Sequence, residues 1–168
     1  MFFNIVLIMT QTFTRYTLFI VSFFFSMSAY SADKAMPWQL KTQSGEDISL
    51  SQYQGKPVIL HFWATWCPYC KKLQPSLVAL QKQYQAQGVT LLAISFREDE
   101  GAKPQDEINN RGFDFITAVN GEQVAKDYEV RGTPTTYFLN RHHEVIFKTT
   151  SSKTDDPRLA LALKEMIK

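Results

Sequence analysis

Cysteine is almost missing from this chain: among 168 residues there are two, Cys67 and Cys70. That count excludes a multi-disulfide scaffold, in which cross-links stand in for a core. Histidine is nearly as scarce, with His61, His142 and His143 the whole supply. A structural zinc site takes four ligands, so the cysteine pair would have to recruit two of these scattered rings. A dominant charge is absent too. The formal net charge is +2 and no basic stripe alternates with aromatics, so nothing favours nucleic-acid or anionic-membrane binding. Internal repeats and low-complexity tracts are lacking as well.

Acidic residues are missing from the first 32 positions, which carry one base, Arg15. The apolar stretch Leu18 to Met27 has the length of a secretory h-region and is short for a bilayer span. Small residues follow in "SMSAYSA", where cleavage after Ser31 puts Ala29 and Ser31 at the positions that must be small. Residues 1–31 are therefore expected to be a signal peptide for export to the periplasm. The alternative is an uncleaved segment anchoring the chain to the inner membrane. Because Met1 to Met9 is itself apolar, Met9 is an alternative start. Residues 32–36 read as a linker, and 37–168 as one domain, long enough to bury a core without disulfide support.

Within that domain, Pro57 to Trp63 is apolar except for His61, the pattern of a central strand covered on both faces. A helix is expected from the cysteines onward, with Leu73, Leu77, Leu80 and Tyr84 at helical spacing, Gly88 as the stop and a kink at Pro75. Val89 to Phe96 reads as the next strand. "KPQDEINNRG" gives a helix with proline near its start, Phe115 to Val119 a short strand, and "GEQVAKDY" a short helix. Thr135–Leu139 and Glu144–Thr149 form a hairpin through "NRHH", and Asp156-Pro157 open a last helix. Strands alternating with helices predict an α/β domain with a mixed sheet.

The pair in "FWATWCPYCKK" allows three readings. Zinc is short of ligands. A purely structural disulfide would close too small a loop to constrain the unfolded chain much. A redox pair has a mechanism: a cysteine at a helix amino terminus meets unpaired N–H groups and the positive end of the dipole, which stabilise its thiolate. Thiolate is the attacking species in disulfide exchange, and Cys70 lies one turn on, close enough to resolve a mixed disulfide. Cys67 is expected to be the exposed sulfur of the two. His142 and His143 are expected to be solvated in their turn, and the run Arg97 to Glu100 to be a solvated loop.

The segment "VILHFWATWCPYCKKLQPSL" resembles the active site of thioredoxin-fold proteins, and its "FWATWC" form is most similar to the exported TlpA/ResA-like thiol-disulfide oxidoreductases. "RGTPTTYFL" is similar to the turn that carries the family's cis-proline, and Pro75 stands where the fold kinks its helix. The resemblance implies a thioredoxin fold: a mixed central sheet flanked by helices, with a TlpA-type helix–strand insertion between Pro104 and Val119. It implies that Cys67 exchanges and Cys70 resolves. It also implies that Pro134 is cis, that Thr133 pairs its backbone with an extended substrate, and that Trp66, Pro68 and Tyr69 contact substrate, while Trp63 belongs to the core.

Three features depart from the family pattern. His61 stands where thioredoxin has a buried Asp that takes the second cysteine's proton; an imidazole is a candidate proton acceptor there. Leu73 replaces a Glu common in relatives that serve cytochrome c maturation. Pro68-Tyr69 is the glutaredoxin pairing, which implies a potential between about −270 and about −120 mV. The expected function is an exported oxidoreductase acting on protein thiols and disulfides, more reductive than oxidative. It needs no prosthetic group or metal, works as a monomer and exchanges electrons with a membrane redox partner. A disulfide oxidant and a copper-handling protein using the soft thiolates are the alternatives.

Overall fold

Six consecutive buried residues, Val58–Trp63, form strand β3 at the centre of the fold. A computed structural model describes residues 33–168, so the signal-peptide, anchor and start-site expectations for residues 1–31 lie outside the described residues. Strand β1 (Gln39–Thr42) and β2 (Asp47–Ser49) precede β3; helix α1 (Pro68–Gln83) follows it and leads to β4 (Thr90–Ser95). Next come α2 (Pro104–Asn110), β5 (Ile116–Val119), α3 (Glu122–Asp127), β6 (Thr135–Leu139), β7 (Val145–Thr149) and α4 (Pro157–Met166). Each expected element is present, with ends moved by a residue or two, except that α1 stops at Gln83 and a separate 3-10 turn, Gln85–Gln87, runs on to Gly88.

The strands make one mixed sheet in the order β2-β1-β5-β4-β3-β6-β7. β3, β4 and β5 are parallel, as βαβ crossovers through helices require, and β6 returns antiparallel beside β3. Strand alternation sends Val58, Leu60 and Phe62 to one face, where Val124 and Ala125 of α3 pack with Tyr128 and Tyr137. Ile59 and Trp63 go to the other face, against Leu73 and Leu77 of α1, Ile108 of α2 and Leu159 and Leu163 of α4. His61 shares that second face. The α2–β5 insertion is bound into the sheet: β5 pairs with both β4 and β1, and the Trp63 indole N–H donates to Thr117 Oγ1 at 2.9 Å.

Two expectations are corrected here. The stretch read as a linker is part of the domain from Asp33 onward. Val145 N–H donates to the Asp33 carbonyl and Ala35 N–H to the His143 carbonyl, both at 2.8 Å, and Ala35 is buried. His143 is likewise not solvated. It is 4% exposed, with its ring Nε2 3.1 Å from the Tyr53 carbonyl, because the "NRHH" turn folds inward onto the Leu50–Tyr53 turn. His142 is exposed as expected.

Candidate active site

Cys67 and Cys70 are joined by a disulfide, with Cα atoms 5.3 Å apart. Cys67 is the N-cap of α1, in extended backbone geometry, and its Sγ accepts the Cys70 backbone N–H at 3.1 Å. Pro68 follows at the first helical position, where a missing N–H costs nothing and the fixed φ suits the helix. The sequence therefore builds a helix start that aims the Cys70 N–H at the first sulfur. That sulfur is more shielded than expected: Cys67 is 2% exposed and Cys70 is fully buried. The flanking side chains are the open ones, with Trp66 50% and Tyr69 63% exposed and Pro68 exposed too.

The Thr133–Pro134 peptide is cis. Because Phe62 pairs with Thr135 across the β3–β6 ladder, Thr133 and Pro134 fall at the carboxyl end of β3, the end from which the cysteines emerge. Pro134 is buried and Thr133 partly exposed. The sheet register thus brings together two motifs that are far apart in the chain. An open groove of about 520 Å³ lies at the same end, lined by Phe96, Arg97, Glu122, Lys126, Val130 and Arg131.

His61 is completely buried, with Nδ1 3.0 Å from the Oγ1 of Thr136, its direct cross-strand partner. Its Nε2 has no partner among the described residues. Loss of solvation in this apolar layer pushes its pKa down to about 3, so the ring is neutral at any physiological pH. Thr136 was not anticipated from the sequence, because only the β3–β6 register places it opposite the buried ring.

The loop after β4 overturns another expectation. Glu98 is not a solvated carboxylate. Its Oε1 and Oε2 each accept the Thr65 backbone N–H at 3.0 Å, and Oε2 accepts the Thr65 hydroxyl at 2.6 Å. The Trp66 indole N–H donates to the Arg97 carbonyl at 2.7 Å. Thr65, Arg97 and Glu98 therefore belong to the site. The available signal was their place just past β4, since the crevice beyond the carboxyl ends of parallel strands is where such sheets bind ligands.

The amino-terminal half of α1 is gripped from the insertion. Lys71 pairs with Glu107 of α2 at 2.8 Å, and Arg111 donates to the Gln74 side-chain carbonyl and, at 2.6 Å, to the Lys71 backbone carbonyl. Among the described residues no three His, Cys, Asp or Glu side chains gather as a metal cluster would need.

Known proteins resemble this chain in sequence and fold. The model of the AhpC/TSA family matches residues 32–148. Thiol-disulfide oxidoreductase ResA of Halalkalibacterium halodurans is 32% identical over 128 residues, spanning 76% of this chain and 72% of that protein. Thioredoxin-like protein YneN of Bacillus subtilis is 33% identical over 139 residues, 82% of this chain and 81% of its own. Among solved structures, a secreted Mycobacterium tuberculosis disulfide oxidoreductase homologous to Escherichia coli DsbE superposes with a TM-score of 0.63. It is 25% identical, covering 76% of this chain and 95% of that one. A helix-capping disulfide on a thioredoxin-type sheet and relatives of that activity lead to one conclusion: the chain belongs to the AhpC/TSA family and is a protein thiol-disulfide oxidoreductase of the thioredoxin fold, related to ResA.

Proposed function

We propose that this protein is exported and reduces disulfides in other exported proteins. Cys67 is the exchanging residue and Cys70 the resolving one. In the reduced protein the Cys67 thiolate attacks one sulfur of a substrate disulfide, and the other substrate sulfur leaves as a thiolate. Cys70 then loses its proton and attacks the Cys67 sulfur, releasing the second substrate thiolate and leaving the Cys67–Cys70 disulfide. Two electrons have passed to the substrate, and a dithiol partner on the membrane returns them. No prosthetic group takes part.

The observation that carries this reading is the position of the pair: a disulfide at the first turn of α1, at the sheet end where the cis Thr133–Pro134 turn lies. Thr133 offers backbone hydrogen bonds to an extended substrate, and Trp66, Pro68 and Tyr69 supply exposed contact surface. His61 is the candidate acceptor for the Cys70 proton by its place in the strand under α1, but burial that holds its pKa at about 3 makes it a weak base that holds the proton only in passing. Its unpartnered Nε2 lies on the face of β3 that α1 covers, and a neutral imidazole is in the state to receive a proton. The reductive direction is supported by the surrounding charges. Lys71, the cation nearest in sequence to the cysteines, is already paired with Glu107, so it contributes little to stabilising a Cys67 thiolate. A less stable thiolate lowers the potential. Export is supported by the apolar stretch Leu18 to Met27 and by the secreted relative.

The test expresses the full chain as Cys70→Ser in a bacterial host and fractionates the cells. The expected result is a set of mixed disulfides through Cys67 in the extracytoplasmic fraction, released by dithiothreitol. The intact protein is expected to reduce insulin. Adducts confined to the cytoplasm would overturn export, and a potential near that of a strong oxidant would overturn the reductive direction.

A further inference from the structure

The loop after β4 supplies no atom to the exchange chemistry, yet two of its consecutive residues hold the turn that presents Cys67. Ala64 to Cys67 is a β-turn, closed by Cys67 N–H donating to the Ala64 carbonyl at 3.0 Å. Its two central residues are Thr65 and Trp66. Glu98 takes both donors of Thr65, and the Arg97 carbonyl takes the indole N–H of Trp66. Arg97 is itself fixed: its backbone N–H donates to the Glu122 carboxylate at 2.9 Å, and its φ of 54° is one that a side-chain-bearing residue keeps only when its surroundings impose it. The hold thus runs from the start of α3 through the loop to the residue before the exchanging cysteine.

We propose that Glu98 is a positioning residue for thiol-disulfide exchange. Its carboxylate locks the turn before Cys67 and, as a fixed negative charge beside the amino end of α1, biases Cys67 towards the thiol and the couple towards reduction of its partners. The inference rests on the oxidoreductase activity and deepens the reductive reading above. A neutral amide or hydroxyl would satisfy the Thr65 donors equally well, so the charge is what separates Glu98 from an ordinary loop anchor. Thr65 is two residues from Cys67, within about 7 Å along the chain, a range at which a charge is felt in a partly desolvated site. Charge from the helix donors acts the opposite way, and the two together set the thiolate population. Other charged groups at this end of the fold are Lys71, held by Glu107, together with Lys72, Arg97 and Glu122, and Lys126, Glu129 and Arg131 in the adjoining groove. His61 beneath is uncharged.

The experiment compares the reduced full chain with Glu98→Gln and Glu98→Ala. Alkylation of Cys67 by iodoacetamide is followed against pH, and each protein is equilibrated with glutathione. Gln keeps the acceptor for Thr65 and removes the charge. It is expected to lower the alkylation midpoint by about half a unit to one unit and to move the glutathione equilibrium towards the dithiol. Ala is expected to shift the midpoint the same way; should it fail to fold, the near-isosteric Gln still decides. A Gln midpoint equal to or above that of the wild type would overturn the proposal and leave Glu98 as a structural hook. The reductive reading fails on a different result, a wild-type potential near that of a strong oxidant, so the two are separable.

Discussion

Arg111 donates to the Lys71 carbonyl at 2.6 Å, and that is the carbonyl that Pro75 leaves without its helical partner. In an uninterrupted helix the N–H four residues on would serve Lys71; proline has none. The insertion thus repairs the gap that the proline opens in the exchange helix. A buried or half-buried acceptor stripped of a charged donor costs about 1–3 kcal/mol. Arg111→Met is expected to destabilise the protein by that order in urea melts. In a Pro75→Ala background the new N–H takes over the carbonyl, and the same Arg111→Met change is expected to cost clearly less. Equal costs in the two backgrounds would mean that the arginine acts through Gln74 alone.

The buried ring of His61 predicts a particular acid sensitivity. Its native pKa is held near 3 by loss of solvation, whereas an unfolded histidine titrates near 6.5. Above about pH 6.5 neither state is protonated and the ring is neutral with respect to pH. As pH falls from there towards 3, the unfolded chain binds a proton that the native state refuses, so stability drops by about 1.4 kcal/mol per unit from this group. His61→Asn places a polar nitrogen or oxygen near Thr136 without titrating. Between pH 6 and 4, its stability is expected to fall less steeply than the wild type's, by close to one proton. Parallel curves would show that His61 is solvated or charged in the native state.

Gly121 caps α3 against the sheet so closely that a side chain has no room. A Cβ there would lie 2.1 Å from Ile94 Cγ2 and 2.9 Å from the Ser95 carbonyl oxygen, which is strand backbone and cannot step aside. Gly121→Ala is expected to destabilise the fold by about 1–3 kcal/mol, as overpacking does. Glu122, the next residue, steadies Arg97, so insulin reduction at a temperature where the variant remains folded is expected to fall as well. Wild-type activity with lowered stability would separate the helix start from the exchange turn.

How much of this was legible in the sequence follows from how local each signal is. The apolar run into "CPYC" and the Asp156-Pro157 start of α4 each act within a few residues and lie where the pattern put them, whereas Gly88 ends a 3-10 turn that follows α1 rather than α1 itself. The carboxylate of Glu98 was misread because a charged run after a strand has the same composition whether it faces water or a neighbouring turn. Only the parallel pairing of Trp63 with Ser95 puts it beside Thr65. His143 was misread for a related reason: a turn residue is normally solvated, and nothing near it in the chain reveals that Tyr53 waits to accept from it. His61 was recognised as buried by its strand, while its Thr136 partner depended on a register that no single segment contains.

The pairing of β3 with β6 also bears on the protein's own synthesis. The two cysteines leave the ribosome early, and the strand that brings Thr133 and Pro134 alongside them comes much later. Until then a nascent chain holds the cysteine pair without the cis Thr133–Pro134 turn beside it. Contacts between such distant segments form late in folding because the intervening chain must first be ordered. A chain interrupted before Leu139 keeps the whole cysteine motif and lacks the strand that completes its neighbourhood. The surroundings of the cysteine pair are completed only by the carboxyl-terminal third of the chain.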